Sequence, residues 1–137
     1  MSEREILFRG EIIELCKYQG QWLEGFFGSD NGKTFIAIQN ENGLNGYFCD
    51  SKTVGQYTGL TDKNGTRIFE GDIVKITGFH TTAIAAVKYG SPSEKSTSWG
   101  WYFDDNHGHT YHLESQAFCR DYNAIIIGNI HDNPELM

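Results

Sequence analysis

The feature that most constrains the fold of this chain is a turn sequence followed directly by a strand pattern, within residues 53–76. Residues 61–65, Thr-Asp-Lys-Asn-Gly, place an Asp where a tight turn needs a side-chain acceptor and a Gly where it needs a positive φ. A second bend follows at residues 70–72, and residues 73–76 then supply three β-branched side chains in a run too short for a helix. The stretch therefore predicts a hairpin tip and a central strand.

Short apolar segments separated by turn residues continue along the whole chain. The predicted strands are residues 5–9, 11–17, 21–27, 34–38 and 47–49 in the first half, and 73–76, 82–89, 98–104, 110–113 and 124–130 in the second. The strongest helix candidate is a single turn at residues 51–54, capped by Asp50 or Ser51. Tyr57 between two glycines predicts a sharp corner at residues 55–59. Residues 90–97 predict a mobile polar loop that a protease would cut first.

These elements predict a mainly β fold of short antiparallel strands with at most one or two short helical turns. The five strands of the second half suggest a small SH3-like barrel, packed with an N-terminal β-meander. We expect one domain over residues 1–137, with possible substructures at 1–60 and 61–137. A chain of 137 residues buries about two thirds of its unfolded surface, so it can fold without disulfides or metals.

A long central motif links the sequence to a known family. Residues 53–74, TVGQYTGLTDKNGTRIFEGDIV, resemble the motif of the YopX family of small phage and prophage proteins. The resemblance continues in the expected order at residues 8–10, 21–25, 127–130 and 132–136, and it is interrupted at residues 16–20 and around residue 107. It implies a mainly β fold and a phage or prophage origin. It implies no activity, cofactor or catalytic residue.

Charge and cysteine content narrow the classes of function and location. A net charge of −7 with only 11 scattered Lys and Arg residues makes nucleic acid an unexpected partner, because non-specific binding depends on basic residues. No signal peptide and no apolar stretch of bilayer length is present, which predicts a cytoplasmic protein that does not enter a membrane. Cys16, Cys49 and Cys119 have no close pair, so we expect reduced, buried thiols.

The sharpest candidate for chemistry is a histidine-rich segment at residues 107–112. On an extended strand His107 and His109 point to one face, which allows two imidazoles to share a metal ion. His112 or Asp105 would be the third ligand. The alternative is an exposed hairpin tip whose histidines titrate near neutral pH, and we expect no bound cofactor.

The acidic residues near two predicted strands have a chemical and a structural interpretation. The carboxylates of Glu70, Asp72, Asp104 and Asp105 could act as acid and base, or bind a cation, if the strand after Gly71 lay beside the strand that ends at Asp104. Solvated turn carboxylates are the alternative.

Residues 99–103 form the densest aromatic cluster in the sequence. Alternation places Trp99, Trp101 and Phe103 on one face and Tyr102 on the other, an arrangement typical of a core. The alternative is an exposed platform of Trp99, Trp101 and Tyr102 that stacks bases or anchors a protein.

These observations favour a non-catalytic interaction module over an enzyme. Neither a Gly-x-Ser-x-Gly elbow nor a recognisable cysteine nucleophile is present. We expect the module to form a homo-oligomer or to bind an unidentified phage or host protein, through strand edges or an aromatic face. The alternatives are a single-stranded nucleic-acid-binding barrel and a metal-dependent enzyme that uses His107, His109 and His112.

Overall fold

The computed structural model describes residues 6–78, 81–92, 99–113 and 115–137. The chain divides into two compact units, Met1–Tyr57 and Thr58–Met137. Most of the loop predicted to be mobile at residues 90–97 lies outside the described residues. The single domain over residues 1–137 stays a prediction.

The N-terminal unit is an antiparallel meander. Its strands are β1 (Phe8–Glu11), β2 (Trp22–Asp30), β3 (Lys33–Asn40), β4 (Gly43–Phe48) and the first residues of β5 (Gly55–Thr61). They are neighbours in the order β4-β3-β2-β1-β5. Asn31 and Gly32, with φ of 49° and 79°, form the two-residue turn between β2 and β3, as expected for a turn that follows the strand twist. The predicted N-terminal meander is confirmed.

Two local predictions in this unit are wrong, and one is confirmed. Of the strand predicted at residues 11–17, only Glu11 lies in β1 and Ile12 forms a bridge to Cys49; the chain then turns, and Gly20 N–H donates to the Ile12 carbonyl at 2.8 Å. The corner predicted at residues 55–59 is instead part of β5. The predicted helical turn is a 3-10 helix, Ser51–Thr53, whose Lys52 N–H donates to the Asp50 side chain.

The C-terminal unit contains a five-stranded antiparallel sheet. Its elements are β6 (Arg67–Phe69), β7 (Asp72–Gly78), β8 (Thr81–Gly90), β9 (Gly100–Asp104), β10 (Thr110–His112), α1 (Gln116–Asp121), β11 (Ile125–Asn129) and a 3-10 helix at Pro134–Leu136. The sheet order is β10-β9-β8-β7-β11. β6 pairs with the last residues of β5 instead.

The mainly β class is confirmed, but the SH3-like barrel is wrong because the sheet is open. A barrel requires the two edge strands to pair, and no pairing between β10 and β11 occurs in the described part of this unit. The chain reaches β11 through α1, which the sequence did not predict. Cys119 of α1 is fully buried among Val74, Val87 and Phe103, so the helix covers one face of the sheet and delivers β11 to the far side of β7.

Candidate functional site

The N-terminal sheet has an apolar second face. Ile36 is fully buried on the first face, against Ile12 and Cys49. The alternating residues of β2, β3 and β4 point the other way and form what we call the outer face: Phe26, Phe35, Leu44 and Phe48. Phe26 and Leu44 are each 59% exposed. An apolar cluster of this kind on a sheet is typical of an interaction surface.

Glycines on the neighbouring strands let Phe35 lie flat on this face. Phe35 is opposite Gly28 in β2 and opposite Phe48 in β4. A Cβ atom at Gly28 would collide with the Phe35 ring, and one at Gly46 would come within 2.9 Å of it. Lys33 extends over the Phe48 ring, with 5.3 Å from Nζ to the ring centroid. The ring of Phe35 therefore lies along the sheet, over the two glycines.

β4 is the edge strand beside this face. Cys49 N–H donates to the Thr34 carbonyl at 2.9 Å, so in an antiparallel ladder the backbone groups of Leu44, Gly46 and Phe48 point away from β3. The outward backbone groups of Phe48 have hydrogen-bond partners in the same unit. Its N–H donates to Glu14 Oε1 at 3.2 Å, and its carbonyl accepts from Ile13 N–H at 3.0 Å.

The outward groups of Leu44 and Gly46 have no partner among the residues that the structure describes. The six residues of β4, GLNGYF, contain no charge and no proline, the usual devices that protect an edge. This strand is therefore open to pairing with another chain.

The histidine-rich segment is a loop between β9 and β10, ordered by one carboxylate. Asp105 Oδ1 accepts from the backbone N–H groups of His107 at 2.7 Å and His109 at 3.1 Å, and Oδ2 lies 3.0 Å from His109 Nδ1. The N–H donors, that of His107 first, hold the pKa of Asp105 below its usual value. Asn106 and Gly108 have positive φ, which this tight path requires.

The structure brings three of the four predicted metal ligands to one cavity. Asp105, His107 and His109 line an open cavity of about 590 Å³ in the C-terminal unit, whereas His112 lies in β10 opposite Tyr102 and does not line it. No three His, Cys, Asp or Glu side chains form a group suited to an ion within the described ranges. Both side-chain oxygens of Asp105 already have partners in its own loop, and one of them orients the His109 ring. The metal site stays a prediction.

The acidic residues proposed to converge are separated by a strand. β8 lies between β7 and β9, so the strand after Gly71 is not beside the strand that ends at Asp104. Asp72 is 1% exposed and its Oδ2 accepts from Phe69 N–H at 2.7 Å, which closes the bend at residues 70–72. Asp104 forms an ion pair with Lys88 at 2.9 Å. These contacts give both carboxylates structural partners.

The aromatic cluster is divided between core and surface. Phe103 is fully buried, Trp101 is half-buried beside it, and Trp99 precedes β9 and is 73% exposed. Trp101 packs on Tyr89 of β8, with 4.9 Å between ring centroids, and its buried Nε1 has no partner among the described residues. Tyr102 points to the opposite face, as predicted, so it does not share a platform with Trp101. Base stacking on Trp99, Trp101 and Tyr102 stays a prediction.

Nearly the whole chain matches the model of a known protein family. The YopX protein family matches residues 8–137, which is nearly the whole chain. This chain belongs to the YopX family. The resemblance inferred from the central motif is confirmed, and the turn that carries this motif is the one organised by Asp62 in the C-terminal unit.

The fold of this YopX-family chain also occurs in a solved structure. A crystal structure of protein EF1440 from Enterococcus faecalis is similar with a TM-score of 0.54 and 25% sequence identity, over 98% of this chain and 99% of that chain. No curated protein matches. In the part of the YopX-family chain that the structure describes, no helix is both long and apolar enough to cross a bilayer.

Sequence reasoning missed the two residues at the centre of the open edge. Leu44 and Gly46 fall in residues 40–46, whose three asparagines and two glycines have the composition of a polar turn. The turn consists only of Glu41 and Asn42, and β4 begins at Gly43. Alternation of Leu44, Gly46 and Phe48 was the available signal, but Asn45 between the first two belongs to the other face of the strand.

Proposed function

We propose that this YopX-family chain is a non-catalytic interaction module that self-associates through the open edge of β4. The observation that carries the proposal is the combination, in one strand, of unpaired outward backbone groups, no charged residue and a neighbouring apolar face. An added strand would satisfy the backbone groups and cover apolar surface at the same time.

A second copy of the same chain is the partner that this edge fits. An antiparallel strand can pair with itself about a two-fold axis, so that Leu44 of one copy lies opposite Gly46 of the other and both outward pairs of backbone groups are used. The same two-fold places the outer faces side by side.

The charges near the two ends of β4 are compatible with this pairing. Glu41 lies just before Gly43, and Lys33 lies over Phe48 at the other end of the strand. Antiparallel pairing brings unlike ends together, which places Glu41 of one copy towards the Lys33 end of the other. The net charge of −7 opposes association at long range, so screening by salt should strengthen the dimer.

The experiment measures self-association by sedimentation velocity from 5 to 500 µM protein, at two salt concentrations. We expect a reversible monomer–dimer equilibrium that shifts towards dimer at higher salt. Leu44→Lys should weaken association at least tenfold, because it places a charge where two apolar faces meet. Tyr89→Lys is the matched control, since Tyr89 has the same exposure of 59% as Leu44 but lies in the other unit.

Two results would contradict the proposal. One is a strictly monomeric chain at 500 µM in both salt conditions. The other is a dimer that Leu44→Lys and Tyr89→Lys weaken equally.

A further inference from the structure

Part of β8 is another strand segment that lacks a neighbour on one side among the described residues. β8 pairs with β7 from Thr81 to Ala86, but it pairs with β9 only from Ala86 to Gly90. β9 ends at Asp104, opposite Ala86, and the chain then turns into the loop that carries the histidines. Among the strands that the structure describes, residues 82–85 therefore have a neighbour on the β7 side only.

The backbone pattern shows which groups face the vacant side. Gly71 N–H donates to the Val87 carbonyl at 2.9 Å, so the odd-numbered residues of β8 direct their backbone groups to the β7 side. The even-numbered residues direct theirs to the β9 side, where Ala86 is paired with Asp104. The N–H and C=O groups of Thr82 and Ile84 point the same way and have no partner among the described residues.

A cavity occupies the space that these groups face. It measures about 590 Å³ and is lined by Thr82, Ala83 and Ile84 on one side and by Asp105, His107 and His109 on the other, with Tyr111, Leu136 and Met137 completing the wall. The histidine side is held in shape by the three contacts of Asp105. The cavity is thus a slot between a strand edge and an ordered loop.

We propose that this slot binds an extended peptide segment, which adds to β8 as a short strand in line with β9. The donors and acceptors of Thr82 and Ile84 repeat every two residues, about 6.6 Å apart along the strand. This is the spacing at which an extended backbone presents its own groups, and it is the recognition mode of domains that bind peptides by strand addition.

The lining of the slot restricts which side chains such a peptide carries. Ile84, Tyr111 and Leu136 offer apolar contact, which suits an apolar peptide residue. His107 and His109 are exposed residues on the opposite wall, and the described residues of the lining include no Lys or Arg. His109 Nδ1 already donates to Asp105, so the ring of His107 is the donor that remains for an acceptor such as Asp, Glu, Asn or Gln in the peptide. We therefore expect segments that alternate an apolar residue with a hydrogen-bond acceptor.

This inference goes beyond self-association and is independent of it. The slot lies in the unit Thr58–Met137, whereas Leu44 and Gly46 lie in the unit Met1–Tyr57. Leu44→Lys should leave peptide binding unchanged, and the substitution at the slot described below should leave self-association unchanged. Failure of either proposal is therefore visible separately.

The test selects blocked octapeptides from a randomised library on the full chain and measures their affinity by fluorescence anisotropy. The decisive variant is Ile84→Pro, because proline removes an N–H that points into the slot and makes no bond to β7; such positions tolerate proline in edge strands. Ile84→Val is the matched control, since it keeps the N–H and the apolar side chain. We expect Ile84→Pro to weaken binding at least tenfold and Ile84→Val to change it less than threefold.

A second arm avoids any dependence on how well the proline variant folds. Each selected peptide is also synthesised with single backbone N-methyl groups and measured against the wild-type chain. Alternate N-methyl positions should weaken binding at least tenfold, since only alternate peptide N–H groups face β8 in a strand pair. The proposal is overturned if no library peptide binds above background, if no N-methyl position matters, or if a folded Ile84→Pro variant binds as the wild type does.

Discussion

Asp62 and Ile126 are joined by a hydrogen bond across 64 positions of sequence, from the Ile126 N–H to Asp62 Oδ2 at 3.1 Å. The other carboxylate oxygen, Oδ1, accepts from the N–H groups of Asn64 at 2.9 Å and Thr66 at 3.0 Å. Asp62 is only 4% exposed. One carboxylate therefore closes the turn at the centre of the family motif and also fastens this turn to the edge strand β11.

Removal of this carboxylate should be among the most destabilising single changes in the protein. Asp62→Ala leaves three backbone N–H groups without their acceptor in a buried place, and we expect a loss of about 2–4 kcal/mol in the free energy of unfolding. Urea denaturation followed by tryptophan fluorescence measures it. Asn64→Ala is the control, because only the backbone of Asn64 bonds to Asp62, and it should cost under about 0.5 kcal/mol. Equal losses for both variants would contradict this role of Asp62.

The two ends of the Asp62 contact show what a sequence can and cannot reveal. The turn was predictable because its information is local: an acceptor at one corner and a glycine with positive φ at the other, observed as Gly65 at 85°. The hydrogen bond to Ile126 was not predictable, because no residue type or pattern in residues 124–130 indicates contact with a turn 64 positions earlier. The barrel prediction failed for the same reason, since strand spacing carries no information on strand order.

The candidate interaction sites follow the same rule. The edge position of β4 depends on the order of the strands, and the unpaired part of β8 depends on β8 being longer than β9. Neither property can be recognised in the sequence of residues 43–48 or 82–85. The histidine segment was visible in the sequence by residue type. Its geometry was not, because the positive φ of Asn106 and Gly108 removes the extended strand on which the alternation of His107 and His109 was argued.

The packing of the Phe35 ring against Gly28 on the outer face gives a second prediction about stability. Gly28→Ala places a methyl group into the space of the Phe35 ring and should cost about 1–3 kcal/mol, as overpacking does. The double variant with Phe35→Leu should recover at least half of that loss, because the smaller side chain vacates the position. Thermal or urea unfolding of the two single variants and the double variant completes the cycle. Additive losses would show that the ring and the glycine do not interact.

The three thiols should differ in reactivity as their burial differs. Burial raises the pKa of Cys119 to about 11, with a further contribution from Asp62, and burial with Asp50 raises the pKa of Cys49. Cys16 is only half-buried, so the predicted burial holds for Cys49 and Cys119 alone. We expect iodoacetamide at pH 8 to alkylate Cys16 first in the folded protein, because the thiolate is the reactive form. Peptide mass spectrometry would detect this order, and Cys16→Ser should remove the fast phase. Rapid labelling of Cys119 before unfolding would contradict it.

Two carboxyl groups of the C-terminal unit should affect stability with opposite dependence on pH. The hydrogen bond from Lys88, and then that from Asn106 N–H, lower the pKa of Asp104 from its usual 3.8, so its contribution is present above pH 3.8 and is lost as the pH falls through the folded-state value. Burial raises the pKa of Glu70 from 4.5, so its contribution is present below pH 4.5 and is lost as the pH rises through the folded-state value.

Matched amide variants separate these two effects. Asp104→Asn should be less stable than the wild type near neutral pH, and the difference should shrink as the pH falls below 3.8, where the wild-type carboxylate also becomes neutral. Glu70→Gln removes the cost of holding a charged group half-buried, so it should gain stability relative to the wild type as the pH rises above 4.5. Urea denaturation between pH 3 and pH 7 gives both difference curves. Parallel curves would mean that a general charge effect, and not these two local environments, sets the pH dependence.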